Sequence, residues 1–271
     1  MSKFRKLLNL SKILDLIFKK FMVYFYFTGK PKVLNPITYF RHRRDKYSKK
    51  QLMAINNGEL YKYILDTINI SNSTGCEFSD YLTIWDKLNK NDYKVILECG
   101  SGISTVVFAY YAYKYTKPIK FISMESEIKW HNQIKSIFPE KLKKYVQFVY
   151  SPREETLYNG IWGSHYAEVP YEKYDFIFID GPGLRKVFKD KSYIKCFNAD
   201  IINILYNEYT HTIDGILDQR IDTLRKLKKI LKGDIKYNPI KKVAFFQNIR
   251  SAQLITNLTV KKPANSLSDN N

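Results

Sequence analysis

The chain has 271 residues, 45% hydrophobic and 26% charged, enough apolar material for a packed core and too much for wholesale disorder. Lysine and arginine outnumber aspartate and glutamate 45 to 26, a formal charge of +19. The three cysteines, Cys76, Cys99 and Cys196, are too scattered for structural zinc or a disulfide framework, no apolar run approaches the roughly 20 residues of a spanning helix, and a cytoplasmic globular protein is expected.

The charge is concentrated at the start. Residues 1–50 hold 14 Lys and Arg but only Asp15 and Asp45 as acids. Within residues 1–27, Phe4, Leu7, Leu8, Leu14, Ile17, Phe18, Phe21, Met22 and Phe25 recur at helical steps between Lys3, Lys6, Lys12, Lys19 and Lys20. Such a stripe with basic flanks suits a peripheral anchor on an anionic membrane at the inner face, and it equally suits a helix packed on the rest of the chain. Lys12, Asp15, Lys19 and Lys20 interrupt any signal-peptide core. The run RHRRDKYSKK (41–50) has the charge to touch phosphate, but no zinc-finger, RRM-like or helix-turn-helix signature accompanies it, so nucleic acid is not the expected partner. A codon bias toward Lys, Asn, Ile and Tyr accounts for part of the excess.

Helices are predicted over 50–69 and 78–89, split by SNSTG. A change of pattern follows, with apolar runs of strand length alternating with helical stretches. Strands are expected at 94–98, 119–124, 145–150, 174–180 and 210–214, and helices at 103–115, 126–138, 190–206 and 219–231. Residues 158–171 (YNGIWGSHYAEVPY) are read as a flexible loop, and 234–238 with 241–249 as a closing hairpin. The organisation expected is a basic segment (1–50), a helical cap (51–90), an α/β domain (91–255) and a polar tail (256–271). Alternating strands and helices imply a parallel sheet with right-handed crossovers, whose ligands bind beyond the carboxyl ends of the strands.

The residues at those ends carry the chemistry. Gly100 and Gly102 in Glu98-Cys99-Gly100-Ser101-Gly102-Ile103-Ser104-Thr105 allow a sharp turn and close approach of a ligand, although a tight strand-to-helix turn needs glycine on steric grounds alone. Thr105 stands where a dinucleotide fold would carry a third glycine or alanine. The carboxylate of Glu98 suits a ligand with an ammonium group and repels a pyrophosphate. Glu125, ending the second strand, can accept both hydroxyls of a ribose. Asp180-Gly181-Pro182-Gly183 follows the fourth strand. Carboxylates ending three separate strands are costly to bury unless used.

ExGxGxST after a strand, Glu125 ending the next and FIDGP ending the fourth together resemble the class I S-adenosylmethionine-dependent methyltransferases, most nearly the bacterial branch whose first motif reads GSGxST. The resemblance covers roughly residues 91–250 and implies a Rossmann-like seven-stranded sheet with helices on both faces. It implies that S-adenosyl-L-methionine is the cofactor, with Glu98, Gly100 and Gly102 facing its methionine end and Ser101, Ser104 and Thr105 of the same turn among the cofactor-binding residues. Glu125 would hold the ribose, Ser151 and Pro152 would lie near the adenine, and Asp180 and Gly181 near the methyl donor or acceptor.

Methyl transfer is an in-line displacement, and a hydroxyl acceptor needs a base. Asp180 is the first candidate base, with a helix-capping role as its structural alternative, and His165 is the second, unless it is an ordinary loop histidine. Arg185 suits an acidic acceptor or simple solvation. Asp214, ending the expected fifth strand, is a candidate pocket residue, with Arg220 as its partner or as a surface charge. No later Asp-Asn pair accompanies Asp180 as in the catechol-type enzymes, so no metal is expected. The function expected is O-methylation of a polar hydroxyl acceptor, a glycan or small molecule. The alternatives are an RNA methyltransferase using 41–50, for which Asp180 to Gly183 lacks an amide and a stacking aromatic, and a non-catalytic scaffold at a membrane. A sugar-nucleotide glycosyltransferase is disfavoured by the lack of a DxD motif.

Overall fold

The computed structural model describes residues 36–71, 77–115, 118–187, 192–207, 213–218, 221–238, 243–250, 254 and 258–261. The anchor expected over 1–27, Cys76 and Arg220 lie outside the described residues. The chain divides into two compact units, 1–40 and 41–271, and the architecture below is that of the second. Among the described residues no helix is long and apolar enough to cross a membrane.

Helix α1 (Pro36–Ala54) and helix α2 (Glu59–Ser71) are separated by a 3-10 turn, Ile55–Gly58. The single helix predicted over 50–69 is therefore two. The break falls at Asn56, Asn57 and Gly58, with φ of 46°, 55° and 82°, and these are the residue types that enter the left-handed region at least cost. Helix α3 (Phe78–Asn89) falls where 78–89 was expected.

The central sheet uses β1 (Val95–Cys99), β2 (Lys120–Glu125), β3 (Gln147–Tyr150), β6 (Phe176–Ile179), β10 (Ile213–Asp218), β11 (Ile235–Asn238) and β12 (Val243–Ile249). Their order is β11-β12-β10-β6-β1-β2-β3. Every neighbouring pair is parallel except the two that β12 makes. This is a Rossmann-like sheet, as expected, with one reversed strand near an edge supplied by the closing hairpin. Order reverses at β1, so the crevice for a ligand opens at the carboxyl ends of β1 and its neighbours.

Both faces of the sheet are covered, which is why its inner strands are apolar without alternation. Ile96, Phe121, Phe176, Phe178 and Ile216 point into one core with α2, α3, α4 (Ile103–Lys114) and α5 (Ile128–Ile137). Leu97, Ile122, Ile177, Ile179 and Leu217 point into the other, with residues of α7 (Asp200–Tyr206) and α8 (Ile221–Leu227). A short helix α6 (Glu140–Lys143) leads into β3.

Four expectations are revised. Residues 158–171 are largely ordered as a hairpin of β4 (Arg153–Tyr158) and β5 (Ile161–Tyr166), turning at Asn159-Gly160 with φ of 49° and 77°. This hairpin forms a second sheet with β9 (Phe197–Asn198) and β13 (Val260–Lys261), so part of the segment read as polar tail pairs with β4. The helix predicted over 190–206 is confined to α7, preceded by β7 (Arg185–Val187) paired with β8 (Tyr193–Lys195). Strand β10 runs to Asp218, four residues past the end expected at Asp214.

Candidate functional site

Three loops leave the carboxyl ends of β1, β2 and β6 and are tied together by main-chain bonds. Gly100 and Ser101 N–H both donate to Met124 O at 2.9 Å, while Asp180 and Gly181 N–H donate to Cys99 O at 2.8 and 2.7 Å. Gly100 has φ +108°, and a Cβ there would stand 2.8 Å from the Gly181 nitrogen, so only glycine lets the two turns meet. Trp130 Nε1 donates to Ser101 O at 2.6 Å, fastening α5 to the same turn.

Glu98 is fully buried beneath this turn. Its Oε1 accepts from Ser104 Oγ and its Oε2 from Thr105 Oγ1 and Ser123 Oγ, each at 2.6 Å, and Thr105 Oγ1 accepts the Gly102 N–H at 2.9 Å. Burial pushes the Glu98 carboxyl up to about 7 against the pull of the three hydroxyls. The residue braces the start of α4 from below and is not part of the cavity lining.

Above the turn lies a cavity of about 350 Å³. It is lined by Gly100 to Ser104, Glu125, Ser126, Glu127, Trp130, Phe178, Asp180 to Gly183 and Asp218, and closed on one side by Glu77, Asp80, Tyr81 and Ile84 of the α3 region. Glu125 is 8% exposed. Its Oε1 accepts the N–H groups of Ser126 and Glu127 at 2.7 and 2.8 Å. Its Oε2 accepts no hydrogen bond among the described residues, and the residue lines the cavity. Burial raises the Glu125 carboxyl, against those two N–H groups.

Asp180 also opens to the cavity, and its carboxylate accepts no hydrogen bond from the described residues. The surrounding protein and then the charge of Glu125 push its carboxyl upward, an effect tempered by its access to solvent in the cavity. Asp80 is raised to about 7, by burial first and then by Glu77, with Arg44 opposing. Arg44 itself donates to Thr83 Oγ1 at 3.0 Å.

The sequence candidates thus divide. Gly100, Ser101, Gly102, Ser104, Glu125, Asp180 and Gly181 meet at one cavity. Glu98 and Thr105 lie beneath its floor. Ser151 and Pro152 begin the β4–β5 hairpin instead: Ser151 Oγ accepts the Glu168 N–H and Pro152 O the Ala167 N–H. His165 is buried in β5, its Nε2 2.9 Å from Thr156 Oγ1 and its Nδ1 2.8 Å from Tyr166 O. Both ring nitrogens are engaged away from the cavity, which removes His165 as the second base. Arg185 lies exposed over the Tyr193 ring. Asp214 sits at the start of β10, bonded to Lys87 Nζ, Tyr93 Oη and Asn248 N.

Asp218, Glu127, Trp130, Glu77 and Asp80 are lining residues that the sequence reading missed. Residues 77, 80, 81 and 84 are spaced as one helix face, a signal that was available. Among the described residues no three His, Cys, Asp or Glu side chains are grouped as a metal site.

No family model and no curated protein sequence matches this chain. Solved structures do. A provisionally assigned caffeoyl-CoA O-methyltransferase from Staphylococcus aureus is 15% identical with a TM-score of 0.47, covering 75% of this chain and 98% of its own. An O-methyltransferase from Bacillus cereus, in complex with SAH, is 14% identical at 0.44 over 74% and 97%. A provisionally assigned O-methyltransferase from Klebsiella pneumoniae is 11% identical at 0.47 over 77% and 99%. Identities and scores are all low, and the functional reading rests on the site's own geometry.

Proposed function

We propose that the protein is an S-adenosyl-L-methionine-dependent O-methyltransferase acting on a polar hydroxyl acceptor. The observation that carries this reading is Glu125, a nearly buried carboxylate at the end of β2. One of its oxygens is held by two backbone N–H groups, the other accepts no hydrogen bond among the described residues, and the residue lines the cavity. A carboxylate fixed in that way is a ready acceptor for the paired hydroxyls of a ribose. The glycine turn opposite it offers unobstructed backbone, and the acidic lining favours a positively charged ligand over a pyrophosphate.

S-adenosyl-L-methionine, when bound, supplies an electrophilic methyl group on a sulfonium. The chain's own part is orientation and proton transfer. Glu125 fixes the ribose, and Gly100 to Ser104 accommodate the methionine portion. Asp180, with no competing donor and a carboxyl pushed upward by its surroundings, takes the proton of the acceptor hydroxyl as it is methylated. A carboxyl raised in this way is a better base near pH 7 than an ordinary aspartate.

Calorimetric titration of the full chain with S-adenosylhomocysteine tests the reading. Saturable one-to-one binding is expected, with Glu125→Ala weakening it by about tenfold or more, the loss of a charge-assisted bond pair. Absence of binding by the wild-type chain would overturn the assignment.

A further inference from the structure

The turn that carries Asp180 is held by the second sheet as well as by β1. Its carbonyls are taken by side chains of that sheet. Gly183 O accepts Ser164 Oγ at 2.8 Å and Arg153 Nη1 at 3.2 Å, and Gly181 O accepts the side-chain amide of Asn198. Asn198 ends β9, is fully buried and does not line the cavity. Its other end is used too, since Asn198 Oδ1 accepts the Asp200 N–H at 3.0 Å. Asp200, at the start of α7, extends the tether, its Oδ1 accepting the Tyr166 N–H at 3.0 Å. Tyr166 Oη in turn donates at 3.3 Å to Met124 O, the carbonyl that also holds the glycine turn after β1, and a Cβ on Gly181 would stand 2.9 Å from it. The second Asp200 oxygen accepts nothing among the described residues although the residue is wholly buried, a cost that an apolar residue would avoid.

We propose that Asn198 is a positioning residue: by holding Gly181 O from outside the cavity, it fixes Asp180 beside the methyl-bearing sulfur. The inference rests on the methyltransferase reading above and adds to it a residue that touches no ligand. The N–H groups of Asp180 and Gly181 converge on a single acceptor, Cys99 O, a contact about which the turn can pivot. The Asn198 amide acts on the next peptide group and supplies a second fixed point. The Asp180 carboxylate accepts no hydrogen bond among the described residues, so its place is set by the backbone that bears it. An amide is what position 198 requires, because it donates at one end and accepts at the other. An aspartate of the same shape would set a carboxylate oxygen against Gly181 O, and an apolar residue would leave that carbonyl and the Asp200 N–H unpaired. Placement matters to a reacting group, since a displacement of about 1 Å can cost on the order of 100-fold in rate.

The test follows the Asp180 carboxyl by carbon NMR in the full chain, labelled at its aspartate side chains and assigned by the signal missing from Asp180→Asn. S-adenosyl-L-methionine and S-adenosylhomocysteine differ by one methyl and one positive charge. The difference between the Asp180 titration midpoints in the two complexes therefore reports how near the carboxylate stands to the sulfur. In the wild type the midpoint is expected to be lower in the sulfonium complex by about 0.5 pH unit or more. Asn198→Ala should roughly halve that difference or abolish it. Tyr158→Phe removes a buried bond of 2.6 Å to Asn203 Oδ1 from the same sheet and should keep it, so the comparison separates a loosened sheet from a displaced base. No difference between the ligands in the wild type, a difference retained in Asn198→Ala, or an equal loss in Tyr158→Phe overturns the proposal. Should Asn198→Ala not fold, Asn198→Ser, whose hydroxyl stops short of the Gly181 carbonyl, is read in its place. Failure of both to fold also overturns the proposal, since Asn198 would then hold the fold and not the turn. If S-adenosylhomocysteine itself fails to bind the wild-type chain, the methyltransferase reading has failed instead.

Discussion

Gly100 and Gly181 touch backbone to backbone: a Cβ on Gly100 would stand 2.8 Å from the Gly181 nitrogen, and one on Gly181 3.0 Å from the Gly100 Cα. The turn beside Glu125 and the turn bearing Asp180 are thereby held at one fixed separation. Gly100→Ala adds both a clash and a side chain at φ +108°. The variant is expected to lose roughly 1–3 kcal/mol of stability and its affinity for S-adenosylhomocysteine. Urea unfolding and calorimetry check this, and unchanged values in both would show that the turns separate freely.

Glu98 and Glu125 should respond differently to the same change. Glu98→Gln keeps an acceptor for the hydroxyls beneath the turn and leaves the cavity wall intact, so nucleoside binding is expected to persist. Glu98→Ala removes the acceptor shared by the Ser104, Thr105 and Ser123 hydroxyls, of which Ser123 keeps Ser101 Oγ at 2.7 Å, at about 1–3 kcal/mol for each group left without a partner. Equal stability of the Ala and Gln variants in urea would contradict the bracing role.

Burial raises Glu98, Asp80 and Asp200 each to about 7, from ordinary values of 4.5, 3.8 and 3.8. The folded state thus keeps protons that the unfolded chain has released. These groups lower stability progressively as pH rises from about 4 to 7 and add no further change above it. The difference in urea midpoint between wild type and Glu98→Gln, followed over that window, isolates the Glu98 contribution. The wild type is expected to lose ground to the variant as pH rises. The opposite trend would mean that Glu98 is stabilised as an anion.

A cation in the cavity favours the charged forms of Asp180 and Asp80, so its binding should expel protons. At pH near 6.5, titrations in buffers of differing ionisation enthalpy are expected to show proton release on binding S-adenosyl-L-methionine, and less with the uncharged sulfide of S-adenosylhomocysteine. Proton uptake, or no difference between the two ligands, would contradict the electrostatic account.

Much of the central sheet was legible because its strands are buried on both faces and read as near-continuous apolar runs. FIFI in β6 and VIL in β1 are the plainest. Glu125 and Asp180 stand out for the same reason, as carboxylates that end such runs and that line the cavity. The end of β10 differs from the expected Asp214 because Gly215 lies inside the strand. It is an interior position where a Cβ would stand 2.3 Å from the Phe246 ring and 2.5 Å from Ile177 O, so glycine is required by packing, and the acid at the rim is Asp218 and not Asp214. His165 was misassigned because Gly, Trp and His residues suggested a loop, although Asn159-Gly160 is a strong hairpin signal. The inward turn of Glu98 was not legible, because strand parity depends on which face receives α4.

The central claim is that Glu125 and Asp180 serve one nucleoside in one cavity. A crystal structure of the full chain with S-adenosylhomocysteine tests it most directly. The account predicts ribose hydroxyls within hydrogen-bonding distance of Glu125 and the sulfur on the side of the cavity bearing Asp180. A nucleoside bound away from the β2 terminus, with Glu125 contacting none of it, would contradict the account.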